Sequence, residues 1–422
     1  MPRITILNQF YVPDISPTAH LSASLADHLA ARGHDVTVVT SRGGYTGKVT
    51  ADGSRGRNSS NDRRKPHVHR IWTPRLGKST NLKRVIDYAC FYIGALWKLL
   101  TMPSQDVVIS LTTPPYIAWA GAAHRMLHPS SKLVLWSMDC YPDAAERMNV
   151  IRKGGLLSRS MRFLNRALFK RVDHLISLDT AMEELLISQY ADAERLPQTT
   201  IIPNWEEASL FPPGARPERW NKADALGLTN RFVVLYLGNT GYGHHFDAVL
   251  EAAERLQDEP VTFLFIGGGR RWSEIESGVQ RRNLTNVVLH GYVPKEHTPG
   301  VMACADCALI TLRDNSLGVM SPSKLHSNLA MHLPIIYMGP QKSNVDDAIR
   351  RFQCGVSLRT DDTVGLEAFI RLHMARGPAF KAMQQQARHA FDEAYVDERT
   401  LPQFEEVVAR VTSPRSEAVL SL

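Results

Sequence analysis

The sequence predicts an α/β protein of two doubly wound parallel-sheet domains facing each other across a cleft. Three observations predict it. Short β-like runs alternate with helical stretches, and the alternation restarts after a proline-rich stretch near the middle. The 422 residues, 44% hydrophobic and 22% charged, suffice for two cores and are too many for one.

The elements follow in order. ITILNQF reads as a strand, YVPDISPTAH as a loop and LSASLADHLAARGHD as a helix with Leu21, Leu25 and Leu29 in register. VTVVT is the next strand, which makes a βαβ unit and hence a parallel, Rossmann-like sheet, because a helical crossover returns the chain in the same direction. Residues 41–66, rich in Gly, Ser, Arg and Asn, read as a loop, and HVHRIWT resumes strand character. DVVISLT, KLVLWSMD and DHLISLD continue the sheet. At Ile201 the texture changes to IIPNWEEASLFPPGARPERWNK, whose Pro203, Pro212, Pro213 and Pro217 mark an exposed connection. The first domain is therefore expected at 1–205. The second, at 206–393, reads RFVVLYLG, helix FDAVLEAAERLQ, VTFLFIGGG, NVVLHGYV, ALITL, helix KLHSNLAMH and PIIYMG. Residues 394–422 carry a closing helix, YVDERTLPQFEEVVARV, and a tail expected to return to the first domain.

Forty-nine basic against 42 acidic residues give a net charge of +7, which suits an anionic substrate or membrane surface and does not single out nucleic acid. Five irregularly spaced cysteines and the absence of an apolar leader at MPRITILNQF point to a reduced, cytoplasmic compartment. The longest apolar run, Ile86 to Trp97, contains Asp87 and falls short of the roughly 20 residues a spanning helix needs. Lys83, Arg84 and Lys98 surround it, and 152–171 carries seven basic and no acidic residues. There Leu157, Met161, Leu164 and Leu168 recur at helical spacing, with Phe163 and Phe169 adding bulk. Segments 83–98 and 152–171 thus have the pattern of helices lying on the inner face of the plasma membrane, or of helices packing on their own domain with solvated arginines.

Four strand-end loops share one chemistry. GNTGYGHH (Gly238, Asn239, Gly241, His244) offers glycines that admit close backbone approach and two imidazoles able to donate hydrogen bonds. IGGGRR ends another strand with Gly267, Gly268 and Gly269. SPSKLHSNLA puts Ser321, Ser323 and Lys324 at the start of a helix, where free N–H groups favour an anion. DISPTAH offers Ser16, Pro17 and Thr18 at the first helix, with both hydroxyl residues as cap types. Since ligands of open parallel sheets sit beyond the strand C-termini, the joint reading is a diphosphate held between the domains. NQFYVPDISPT contains no glycine, against a nicotinamide dinucleotide, and no GxxxxGK[ST] occurs, against a P-loop NTPase. Cys304 and Cys307 form an isolated C-x-x-C with apolar flanks, read as packing, and no D-x-D occurs. Asp139 and Asp143 in WSMDCYPDAAERM stand past a strand end facing the cleft, suited to a substrate hydroxyl or to capping the next helix.

These motifs have an ordered counterpart. ILNQFYVPDISPTAHLSASLADHLAARGHDVTVVT resembles the opening of bacterial family 4 glycosyltransferases. VVLYLGNTGYGHHFDAVLEAAERL, FLFIGGG, NVVLHGYVP, ADCALITL and SPSKLHSNLAMHLPIIYMGP resemble, in order, the second domain of the branch that builds surface polysaccharides. The resemblance implies a GT-B fold and retaining, metal-independent transfer of a sugar from a nucleotide diphosphate donor to a lipid-linked or glycan acceptor, with no cofactor. It implies that Ser323 and Lys324 meet the donor phosphates and that His244 stands where many relatives have lysine. It puts Gly267 to Gly269 along the nucleotide, Tyr292 and Val293 at its base, and Asp139 on the acceptor side. Asn239 stands in place of an arginine, and Val319 and Ser327 in place of two glutamates, the second of which touches the donor sugar. Two other classes fit the same pocket: a sugar-nucleotide epimerase of GT-B fold, and a non-catalytic sugar-nucleotide-binding protein.

Overall fold

The computed structural model describes residues 1–14, 16–42, 65–74, 81–212, 214 and 217–413. Most of the loop read at 41–66, together with Pro213 and the tail beyond Ser413, lies outside them, as does the side chain of Arg84.

Seven parallel strands form the first sheet: β1 (Arg3–Leu7), β2 (Asp35–Ser41), β3 (His67–Ile71), β4 (Val107–Leu111), β5 (Lys132–Trp136), β6 (His174–Ser177) and β7 (Gln198–Ile201), in the order β3-β2-β1-β4-β5-β6-β7. Six form the second: β8 (Phe232–Asn239), β9 (Val261–Gly268), β10 (Val287–His290), β11 (Cys307–Thr311), β12 (Ile335–Met338) and β13 (Gly355–Leu358), in the order β10-β9-β8-β11-β12-β13. The central strands are apolar on both faces, and burial from both sides follows: β4 and β11 are buried throughout. Both sheets reverse their winding beside the first strand, so the crevice for a ligand opens at the ends of β1 and β4 in one and β8 and β11 in the other.

β7 and β13 correct the sequence reading, which passed over both. Each has four residues at a sheet edge, none fully buried, so neither shows the continuous apolar run of a central strand.

The helix Asp397–Thr412 crosses back to the first sheet, where Leu401, Phe404, Val407, Val408 and Val411 join the core around Trp136. Trp205 stacks on Trp136 at 5.8 Å between ring centroids, and Phe404 meets both rings edge-on. Glu206 is bridged by backbone to the returning chain, its N–H donating to Tyr395 O at 3.0 Å and its carbonyl accepting from Asp397 N at 3.1 Å. The chain thus passes between the sheets twice at one place.

Candidate functional site

β8 and β9 stay paired to their last residues, Gly238 opposite Gly267 and Asn239 opposite Gly268. Only glycine permits this. A Cβ on Gly267 (φ +142°) would stand 2.1 Å from the Gly238 carbonyl oxygen, and one on Gly269 (φ +130°) 2.3 Å from Asn239 Oδ1. The glycines therefore serve contact between the strand ends as well as access, and a Cβ on Gly238 would stand 3.0 Å from Lys324 Cε.

Lys324 opens the helix Lys324–Ala330 and is held on three sides. Its Nζ lies 3.5 Å from the Asn239 carbonyl oxygen, 3.4 Å from His244 Nε2 and 4.9 Å from the centre of the Tyr236 ring. An ammonium has three donors, so one remains for a ligand after the two protein acceptors are served. Burial of the ammonium pushes its pKa down to about 8.

His244 differs from expectation. Its Nδ1 meets the Thr311 carbonyl oxygen at 2.8 Å, which fixes the proton on Nδ1 and leaves Nε2 as acceptor for Lys324. Burial first, and Lys324 second, push its pKa down to about 3, so the ring is neutral. It holds the lysine and offers no second cation. Arg313, which the sequence reading passed over, stands nearby with Arg271 of IGGGRR: Arg313 Nε donates to the His244 carbonyl at 3.0 Å, and Arg271 N to the Thr240 carbonyl at 3.0 Å.

A cavity of about 410 Å³ opens beside Lys324. The start of the first helix contributes Ser16, Pro17 and His20, the segment before the second sheet contributes Asn204, Glu206 and Glu207, and the second domain contributes Leu237 of β8, Lys295, Ser323, and Ser327 and Asn328 of the helix Lys324–Ala330. Burial pushes the Glu206 carboxyl up to about 7, Lys295 opposing and Glu207 reinforcing. The sequence reading took Asn204, Glu206 and Glu207 only as connection, because their prolines and polarity carry no other signal.

Other expected residues fall at different places. Tyr292 is exposed, its ring against Gly268 and its hydroxyl 3.5 Å from Asn239 Oδ1, while Val293 packs on the second core. Gly241 stands beside the Asn239 side chain. Ser16 and Thr18 bond each other at 3.1 Å, and neither caps the helix Pro17–Ala31. Ser321 hydrogen-bonds Asp179 across the domains. Asp139 lies past β5 on a separate cavity of about 40 Å³ with Thr112 and Tyr116; the residue is exposed, yet desolvation by the protein around its carboxyl raises its pKa. Asp143 does not face the cleft: it is buried, with Arg162 at 2.7 Å and the Tyr190 hydroxyl on its second oxygen. Cys304 and Cys307 are buried and unbridged. Among the described residues, no three His, Cys, Asp or Glu side chains are grouped as metal ligands.

Two facing doubly wound sheets, with a lysine and paired glycine turns at the strand ends between them, define the GT-B class. Family models match in the same order: "Glycosyl transferase 4-like domain" over 19–205 and "Glycosyl transferases group 1" over 231–371. The chain belongs to the glycosyltransferases. It is 24% identical over 336 residues to the putative colanic acid biosynthesis glycosyl transferase WcaI of Escherichia coli K12, covering 78% of this chain and 81% of that one. It is 26% identical over 268 residues to the probable glycosyltransferase WbjE of Pseudomonas aeruginosa, covering 63% and 65%. Among solved structures, Anabaena Alr3699/HepE in complex with UDP and glucose superposes with a TM-score of 0.68 at 13% identity, over 97% of this chain and 100% of that one.

Proposed function

We propose that the protein transfers a sugar from a nucleotide diphosphate donor to a lipid-linked or glycan intermediate of cell-surface polysaccharide, with retention at the anomeric carbon and without metal or cofactor. One observation carries the reading: Lys324, caged by Asn239, His244 and Tyr236, keeps one N–H donor for an anion beside a cavity of nucleotide size. Cleaving the sugar–phosphate bond accumulates negative charge on the diphosphate. A cation already held in place stabilises that charge without reorganising, which is the largest rate effect available to such a site. In this reading neutral His244 aims the lysine, the Gly238, Asn239, Gly241 and Gly267–Gly269 backbone borders the phosphates, and Ser16, Pro17, Thr18, Ser321, Ser323 and Ser327 edge the donor. Tyr292 and Val293 adjoin the base, and Asp139 serves the acceptor. The acceptor attacks the face the diphosphate leaves, and the departing phosphate takes its proton.

WcaI and HepE support the reading by name, the first through colanic acid and the second through bound UDP and glucose. The membrane side draws on the helices. In Leu156–Phe169, Leu168 and Phe169 are buried, and Leu156, Leu157, Phe163 and Leu164 are exposed among exposed Arg159 and Arg166. Asn81–Thr101 likewise exposes Val85, Ile93 and Trp97. Each helix packs part of its apolar surface on its domain and leaves an exposed apolar strip beside cations, which supports the lipid-surface reading. Among the described residues no helix is long and apolar enough to cross a membrane.

The test incubates the protein with UDP-, GDP- and ADP-sugars, with and without a lipid-linked acceptor and with a chelator throughout. Free nucleotide and a glycosylated product of unchanged anomeric configuration are expected. An isomerised donor without an acceptor would instead mark an epimerase, and bound but unconsumed donor a binding protein.

A further inference from the structure

The cavity beside Lys324 has two chemically different walls. Lys324 offers a donor suited to phosphate oxygens. The rest is rich in unserved acceptors. Asn328 commits its Nδ2 to the Lys324 carbonyl at 2.7 Å, and its Oδ1 is buried without a partner. His326 is 3% exposed and bonded through one ring nitrogen to the Ser323 backbone, which leaves Nε2 a buried lone pair without a partner. Asn204 Oδ1 is buried and unpartnered as well. Half-buried Glu206 lines the same cavity, and its carboxylate makes no hydrogen bond and no ion pair among the described residues. Ser327, short enough to leave the space open, lines the same cavity. Buried acceptors without partners are costly, and their complement is a group that brings several O–H donors at once. A diphosphate has none, whereas a vicinal diol brings two.

We propose that Glu206, reaching into the cavity from the segment between the sheets, binds a vicinal diol of the donor, with Asn328 and Asn204 as flanking acceptors. The proposal rests on the donor reading above and adds the residue that recognises the hydroxyls. Two sources of the diol share this chemistry, the ribose and the transferred hexose. Because the backbone of Glu206 is pinned to Tyr395 and Asp397, its side chain can be changed while that junction stays intact.

The test is calorimetric, on the full chain. Wild type is titrated with UDP, GDP and ADP, and the tightest binder is compared with its 2′-deoxy and 3′-deoxy forms and with its hexose conjugate. At pH 8, where the carboxyl is largely ionised, Glu206→Ala is expected to weaken ribonucleotide binding by about 10- to 100-fold, the loss expected for hydrogen bonds to a charged acceptor, and to weaken the 2′-deoxy and 3′-deoxy forms, which keep one hydroxyl each, by less. Glu206→Gln, which preserves the cavity wall, is expected to fall between. If the diol is the hexose's, the same loss appears only with the conjugate. An Ala variant that binds ribonucleotide and conjugate like wild type overturns the assignment, and so does an equal loss for ribo- and deoxynucleotides, which marks distortion of the junction. Lys324→Ala, run in parallel, separates the two readings. Affinity lost there but kept in Glu206→Ala leaves the donor site standing without Glu206, and wild type that binds no nucleotide removes both.

Discussion

The alkaline limb of the donor reaction is the sharpest consequence of the caged lysine. Lys324 has its pKa pushed down to about 8 by burial, against an ordinary value of 10.5. If the ammonium receives the diphosphate, kcat/KM must follow the protonated fraction of the free enzyme. With a pKa of about 8 that fraction falls about tenfold by pH 9, whereas an ordinary lysine would still be almost wholly charged there. The sign is fixed by chemistry, since an ammonium in contact with an anion is favoured over the amine. A bound donor therefore raises the lysine's pKa, and kcat should stay level to higher pH than kcat/KM. The assay is initial-rate nucleotide release between pH 7.5 and 10 at saturating and subsaturating donor. Lys324→Arg, charged across the range, should remove the limb, and Lys324→Ala should lower turnover by roughly 10² or more. A kcat/KM profile flat to pH 9.5, or an unchanged rate in Lys324→Ala, would refute the reasoning.

Four further outcomes follow from named positions. Gly267→Ala places a methyl 2.1 Å from the Gly238 carbonyl at φ +142°, so a loss of about 2–3 kcal/mol or more is expected in denaturant unfolding. Gly291→Ala, with nothing within 4 Å of the new methyl, should stay within about 0.5 kcal/mol of wild type. Arg162→Ala strands two carboxylates, Asp143 and Glu146, that are 5% and 3% exposed, and should cost about 3–5 kcal/mol; a change below about 1 kcal/mol would show that they do not depend on it. Phe163→Ser, at a side chain 71% exposed, should weaken binding to phosphatidylglycerol vesicles about tenfold with the melting temperature unchanged, and equal sedimentation with the vesicles would clear the helix of a lipid role.

What the sequence disclosed depended on distance along the chain. Glycines after an apolar run announce a strand end wherever they occur, so the meeting of Gly238 and Gly267 was legible as two separate turns. Their contact, which makes glycine obligatory, was not, because it is set by pairing between strands about thirty residues apart. The protonation of His244 was hidden for the same reason: Thr311, which fixes the tautomer, lies 67 residues on. Glu206 was hidden differently. Its stretch, with Pro203 three residues before it, read as an exposed connection, and only the return of the chain at Val396 turns that connection into a cavity wall.

Val319 and Ser327, read in the sequence as paired departures from a glutamate pattern, separate in the structure. Val319 is 1% exposed and packs with the first domain's core, although it belongs to the segment between β11 and β12. On either side of it the two domains are tied: Arg147 donates to the Leu317 carbonyl at 2.6 Å, Cys140 Sγ to the Gly318 carbonyl at 3.4 Å, and Ser321 to Asp179. A carboxylate at 319 would be buried at that seam, at a cost that an apolar side chain avoids. Valine there answers to docking between the domains, and the position has no direct bearing on the donor. Ser327 lines the cavity, where the loss of a carboxylate from one wall coincides with carboxylates on another. The first substitution is thus a matter of how the lobes hold together, and the second, under the proposed diol reading, of which hydroxyls the site recognises.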